Sequence, residues 1–138
     1  MNINWAKLVP ELSCTSLSAS LDFYRLLGFE VLFSREGFAY LAFEGIQWML
    51  QDARQDDWPT AAFEKPLGRG INFQIECQDV VSLRNKLLEH KVPLFRDLKE
   101  NWRQTGSVLS GSKEFLVQDP DGYLLRFAEA LGQKALEA

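Results

Sequence analysis

The chain is predicted to fold as an α+β protein built from two successive βαβββ units, and three features of its sequence carry that prediction. The first is residues 20–33, SLDFYRLLGFEVLF, in which a helical pattern stops at Gly28 and passes directly into strand-forming residues. The second is residues 114–129, EFLVQDPDGYLLRFAE, where two strand-like runs flank Asp119-Pro120-Asp121-Gly122. Pro120 presets its own φ and Gly122 is free to take φ > 0, so this segment reads as a hairpin turn. The third is recurrence. The offset from Leu21 to Leu83 equals that from Val31 to Leu94 to within one residue, so the helix–strand junction appears twice.

In the first unit, about residues 6–52, a strand from Ala6 to Cys14 leads to a helix over 17–27, with Ser16 or Ser18 as its cap. Leu17, Leu21, Tyr24 and Gly28 share one helical face, flanked by Phe23 and Leu27. Strands follow over 29–34, 38–43 and 46–51, separated by turn signals at Glu36-Gly37 and Glu44-Gly45. The stretch from about 53 to 68 holds Asp56, Asp57, Pro59 and Pro66 and reads as an exposed linker. In the second unit, about residues 69–129, a strand over 70–77 precedes a helix over 79–89 capped by Asp79. Strands near 94–98, 107–110, 113–117 and 123–128 complete it. The 138 residues are one domain's worth of chain.

Composition narrows the function. A net charge of −4 with no basic stripe speaks against nucleic acid. No apolar run approaches the roughly 20 residues of a membrane span, and no secretory leader is recognisable. The expectation is a cytoplasmic protein whose two cysteines, Cys14 and Cys77, are buried free thiols rather than a disulfide.

The usual catalytic constellations are missing. His90 closes the second helix and reads as a solvent-facing residue suited to a helix C-terminus. No nucleophile elbow appears, and Gly68-Arg69-Gly70 lacks the context of a phosphate loop. The carboxylate pairs Asp56/Asp57 and Asp119/Asp121 fall in turns and are expected to be solvated.

Strand parity divides the sheets into an apolar face and a mixed one. Ile46, Trp48 and Leu50 oppose Gln47, Met49 and Gln51; Ile71, Phe73, Ile75 and Cys77 oppose Asn72, Gln74 and Glu76. The apolar faces should pack under the helices. The mixed faces, with their amides, should line a concave site suited to a polar organic ligand. Trp58 and Trp102 sit among polar residues, in what read as loops, where a tryptophan marks a ligand platform or an interface.

The two motifs, in this order, resemble the vicinal-oxygen-chelate superfamily of glyoxalase I, extradiol dioxygenases and bleomycin resistance proteins, over about residues 6–129. The resemblance implies paired βαβββ units around a cleft, commonly in a homodimer. In the superfamily's enzymes His or Glu, sometimes Gln, holds a divalent metal; aligned on the two motifs, those positions fall on Val9, Met49 or Leu50, Asn72 and Arg126. Valine, methionine and leucine offer no oxygen or nitrogen, and arginine brings a positive charge. The implied protein therefore has no metal and no cofactor and is similar to the bleomycin resistance proteins, which sequester their antibiotic. Val9-Pro10, Phe23, Leu27-Gly28-Phe29, Phe33, Phe38-Ala39, Glu114-Phe115 and Asp119-Pro120 carry that likeness, while Gly111-Ser112 stands where such proteins often have Trp-Gly.

The site expected on these grounds is lined by Phe33, Phe38, Met49, Gln51, Asn72, Gln74 and Arg126, with Trp102 reaching in from a loop. Phe33 and Phe38 come from the resemblance, at positions that contact the drug in some members. Arg126 is expected either to stand unpaired and attract an anionic group or to pair with Glu76 or Glu11. The expected partners are a small polar or aromatic ligand, possibly a bleomycin-type antibiotic, and a second copy of the chain. A glyoxalase- or dioxygenase-like enzyme with unusual or no metal ligands is the alternative.

Overall fold

A computed structural model describes residues 3–136. The elements run β1 (Glu11–Cys14), α1 (Leu17–Leu27), β2 (Glu30–Arg35), β3 (Phe38–Phe43), β4 (Ile46–Asp52), a 3-10 turn (Ala53–Gln55), β5 (Asn72–Glu76), α2 (Val80–Glu89), β6 (Arg96–Thr105), β7 (Val108–Gln118) and β8 (Leu124–Ala135). They form two four-stranded sheets, ordered β1-β4-β3-β2 and β5-β8-β7-β6, and the outer pairs β1–β4 and β5–β8 are parallel. The architecture is the α+β arrangement of paired βαβββ units that the sequence predicts.

The chain divides into two compact units, 1–69 together with 119–123, and 70–118 together with 124–138. The turn between β7 and β8 thus belongs to the first unit although its strands belong to the second.

In the first unit, Ser16 caps α1 by accepting from the Ala19 N–H, and Gly28 ends the helix at φ 102°. That left-handed conformation lets the Gly28 and Phe29 N–H groups reach the Arg25 and Tyr24 carbonyls. Tyr24, Phe29 and Phe43 then pack around the buried Trp48, with ring centroids 4.8–5.4 Å apart in successive pairs. In the second unit Val80, Leu83 and Leu87 of α2 are buried, as are Ile75, Phe115, Val117, Leu125 and Phe127 of the sheet.

The strand limits differ from expectation in instructive places. β1 begins only at Glu11, because Pro10 offers no N–H to a ladder; its carbonyl still accepts from Met49. Ile71, expected on the apolar face, lies just before β5 and is exposed. The separate strands expected over 107–110 and 113–117 are one strand, β7, and β8 continues well past residue 129. The expected loop around Trp102 is the middle of β6, an edge strand paired with β7. Its sequence, RDLKENWRQT, is polar on both faces, so no alternation announces it.

The turn aspartates also depart from expectation. Asp119 and Asp121 are 5% and 1% exposed, not solvated. Asp119 accepts the Tyr24 hydroxyl at 2.7 Å together with the Asp121 and Tyr123 N–H groups. Asp121 accepts from the Thr15 N–H and hydroxyl and lies 3.7 Å from the Lys65 ammonium. Each carboxylate is buried because its acceptor capacity is filled. Both cysteines are free and buried, and burial pushes the Cys14 thiol up to about 11.

Candidate functional site

The face of the first sheet away from Trp48 is aromatic, and its Phe38 and Tyr40 are buried. Register places Phe33 opposite Tyr40, Tyr40 opposite Met49, and Phe38 opposite Gln51, so all five side chains leave the sheet on the side away from Trp48 and Leu50. Phe33 and Tyr40 stack with centroids 5.4 Å apart and planes at 11°, and Phe38 lies 5.9 Å from Phe33. The Arg35 guanidinium sits 3.9 Å above the Phe38 ring. Parity therefore brings together four of the expected site residues, Phe33, Phe38, Met49 and Gln51.

Trp5 joins them, and sequence reasoning missed it. Its ring meets Tyr40 and Phe33 edge-on, at 5.0 and 5.9 Å. Gln47 holds this segment down: its amide oxygen accepts from the Ala6 N–H and the Tyr40 hydroxyl, and its amide nitrogen donates to the Asn4 carbonyl. Trp5 lies outside any strand, so parity had no purchase on it; the only available signal was an aromatic residue shortly before Pro10.

Beside this face lies a hollow of about 240 Å³ whose walls include Phe38, Gln51, Glu11, Glu36, Asp57 and Trp58. Trp58 is 74% exposed, and its position is built rather than incidental. Asp56 accepts from the Trp58 N–H and from the Ser13 hydroxyl, tying the tryptophan's turn to β1. Three carboxylates against Arg35 give the hollow an acidic lining.

The second sheet presents Asn72, Gln74 and Arg126 on its open face, with Gln74 opposite Arg126 in register. The Arg126 guanidinium donates to the Gln74 amide oxygen at 2.6 Å, and its Nε is 3.9 Å from Glu114. Glu114, only 6% exposed, also lies 3.8 Å from Arg103 and accepts from the Asn101 amide. Neither sequence alternative for Arg126 holds: its carboxylate is Glu114, not Glu76 or Glu11. Glu114 follows the parity of the open face in β7, and that was the signal to read.

Trp102 does not join this group. It pairs with Gly111 in register, and Gly111 shares its side of β7 with the buried Phe115 and Val117. The ring covers Gly111 so closely that a Cβ there would stand 2.6 Å from it. Lys134 caps the ring at 4.0 Å and Glu100 accepts its indole N–H. The absence of a side chain at Gly111 makes room for the indole on the face opposite Arg126.

A divalent metal does not suit these faces. Among the positions expected to hold one, Leu50 is buried among apolar residues, Met49 offers a thioether, and Arg126 carries positive charge beside Gln74. Among the described residues no three His, Cys, Asp or Glu gather as a ligand set. His90, exposed at the end of α2, bonds through Nδ1 to the Lys86 carbonyl.

The family described as the Glyoxalase/Bleomycin resistance protein/Dioxygenase superfamily matches residues 3–127. The chain belongs to this superfamily. Bleomycin resistance proteins of Geobacillus stearothermophilus and Staphylococcus aureus are each 26% identical to it over 133 residues, covering 89% of this chain and 96% of theirs. Among solved structures of the fold, TioX from Micromonospora sp. ML1 has a TM-score of 0.71 at 19% identity, covering 92% of this chain and 100% of that one. A protein of unknown function from Agrobacterium tumefaciens has a TM-score of 0.70 at 23% identity, covering 94% and 98%. Superfamily membership thus rests on the sequence match, and these structures agree in fold.

Proposed function

We propose that the protein is a metal-free, non-catalytic binder of a small antibiotic-like molecule and acts by sequestering it. The observation that supports this reading is the aromatic cluster of the first sheet, where Phe33 stacks on Tyr40 and Phe38 lies beside them next to an acidic hollow. Phe38 and Tyr40 are themselves buried, and the exposed rings of Trp5 and Trp58 beside them can hold flat rings by stacking. The similarity to curated bleomycin resistance proteins favours the same reading. The ligand-contacting set is Phe33, Phe38, Met49 and Gln51 on the first sheet and Asn72, Gln74 and Arg126 on the second. Trp102 belongs to it only as a support for β7, and Trp5 and Trp58 are added. The working form is a homodimer.

Titrating the purified protein with bleomycin while following tryptophan emission tests the proposal. Saturable quenching that is lost in Phe38→Ala and Trp58→Ala is expected, together with less than stoichiometric Mn, Fe, Ni or Zn by elemental analysis. A stoichiometric bound metal, or a drug affinity unmoved by both substitutions, overturns it.

A further inference from the structure

The open face of the second sheet holds its own hollow, about 250 Å³, and its chemistry differs from that of the first. Its floor is made by the inner strands, Ser110 and Ser112 on β7 and Ala128 and Ala130 on β8, whose short side chains leave space above the sheet. Its walls are made by the outer strands, Gln74 and Glu76 on β5 and Arg103 on β6.

The two walls carry opposite, incompletely compensated charge. Arg103 and Arg126 share the single carboxylate of Glu114, at 3.8 and 3.9 Å, so two guanidiniums stand against one anion. Both distances exceed a hydrogen bond, and Arg126 Nε, though buried, has no hydrogen-bond acceptor. Arg126 spends one N–H on Gln74. Arg103 is mostly exposed and donates to nothing among the described residues. On the opposite wall, the Glu76 carboxylate has neither a hydrogen bond nor an ion pair among them. One positive charge is left over near β7 and β6 and one negative charge on β5.

We propose that this hollow binds an elongated zwitterion of small-peptide size, its anionic end on Arg103 and its cationic end on Glu76. The spacing supports the assignment. The Arg103 guanidinium is held at Glu114 on β7, and β7 and β5 flank β8, so the two charged ends lie two strand spacings, about 10 Å, apart. A tripeptide of extended backbone spans about 10 Å between its terminal charges. The Ser110 and Ser112 hydroxyls and the Gln74 amide offer the donors and acceptors its peptide groups need. Gln74 and Arg126 are shared with the antibiotic-sequestration reading, but Arg103 and Glu76, on which this inference turns, lie outside its contact set.

The experiment uses the full-length, isotope-labelled protein and three probes: triglycine, N-acetyl-triglycine, which lacks the cation, and triglycine amide, which lacks the anion. Saturable shifts of the Ser112, Ala128 and Ala130 amide resonances are expected with triglycine, and each blocked probe should bind at least about tenfold more weakly. Arg103→Gln should erase the preference for triglycine over its amide. Glu76→Gln should erase the preference over the acetylated form. Both residues are exposed, and an unchanged spectrum of the free variants checks their fold. Equal affinity for all three probes, no saturable shift with any of them, or preferences that survive both substitutions would overturn the proposal. Because bleomycin is absent from this experiment, its outcome is independent of the drug titration.

Discussion

At the residue scale, the most consequential contact is the buried hydrogen bond from Tyr24 to Asp119. Asp119 accepts three hydrogen bonds, so Asp119→Ala leaves a phenol and two N–H groups without their acceptor in a largely buried site. Urea denaturation should show a loss of about 3 kcal/mol, and Tyr24→Phe a loss of about 1 kcal/mol. Burial, the largest influence, holds the Asp119 carboxyl above its ordinary value of 3.8, against the pull of the Tyr24 hydroxyl and the Tyr123 and Asp121 N–H groups. The folded chain therefore binds this proton more readily than the unfolded chain. The stability contributed by the protonated form is complete below 3.8 and is lost as pH rises through the raised value. Asp119→Asn should flatten that part of the curve in urea midpoints taken from pH ~4 to ~6. An unchanged slope would assign the titration to another group.

At the element scale, α1 is fixed at both ends by single residues. Ser16→Ala removes the acceptor for the Ala19 N–H and should cost roughly 1 kcal/mol in the same denaturation assay. In β7, Gly111→Ala would drive a methyl group into the Trp102 indole. The ring must leave its place between Gly111 and Lys134, so tryptophan emission should shift and stability fall by about 1–3 kcal/mol. An unaltered spectrum would mean that the indole has room to slide. Trp102 also shows where sequence reading fails. The helices, β4 and β5 were legible because apolar residues recur with the helical or strand period, and β3 because it is an unbroken apolar run between two turn signals. β6 was not, because an edge strand wetted on both sides is held by its ladder to β7 and carries no pattern of its own. The site divides the same way. Parity grouped Met49 with Gln51 and Gln74 with Asn72, and the resemblance supplied Phe33 and Phe38, whereas Trp5 and Trp58 lie outside the strands and answer to hydrogen bonds with Gln47 and Asp56 that no periodicity encodes.

At the scale of the whole molecule, both sheets end in edge strands paired on one side, β1 and β2 in one and β5 and β6 in the other. β6 guards its edge with charged residues, Arg96, Asp97, Lys99, Glu100 and Arg103. Trp5, Leu8, Trp58, Phe63, Ile71 and Phe95 nonetheless remain exposed, apolar surface that an interface between two copies would cover. Light scattering at micromolar concentration should therefore report a dimer, since an interface near 1,600 Å² persists at that dilution; a monomer would remove the homodimer from the proposed function. The turn at 119–123 sets a different kind of limit, one of time. It completes the first unit, yet it is synthesised some fifty residues after the rest of that unit. Until it arrives, the buried Tyr24 hydroxyl and the exposed Thr15 lack their carboxylate acceptors, so a chain cut after residue 69 would carry a first half with the Tyr24 phenol unsatisfied. The repeat visible in the sequence is therefore not a pair of separable modules. Its first copy is finished by its second, and nascent chains should become protease-resistant in a single late step rather than in two.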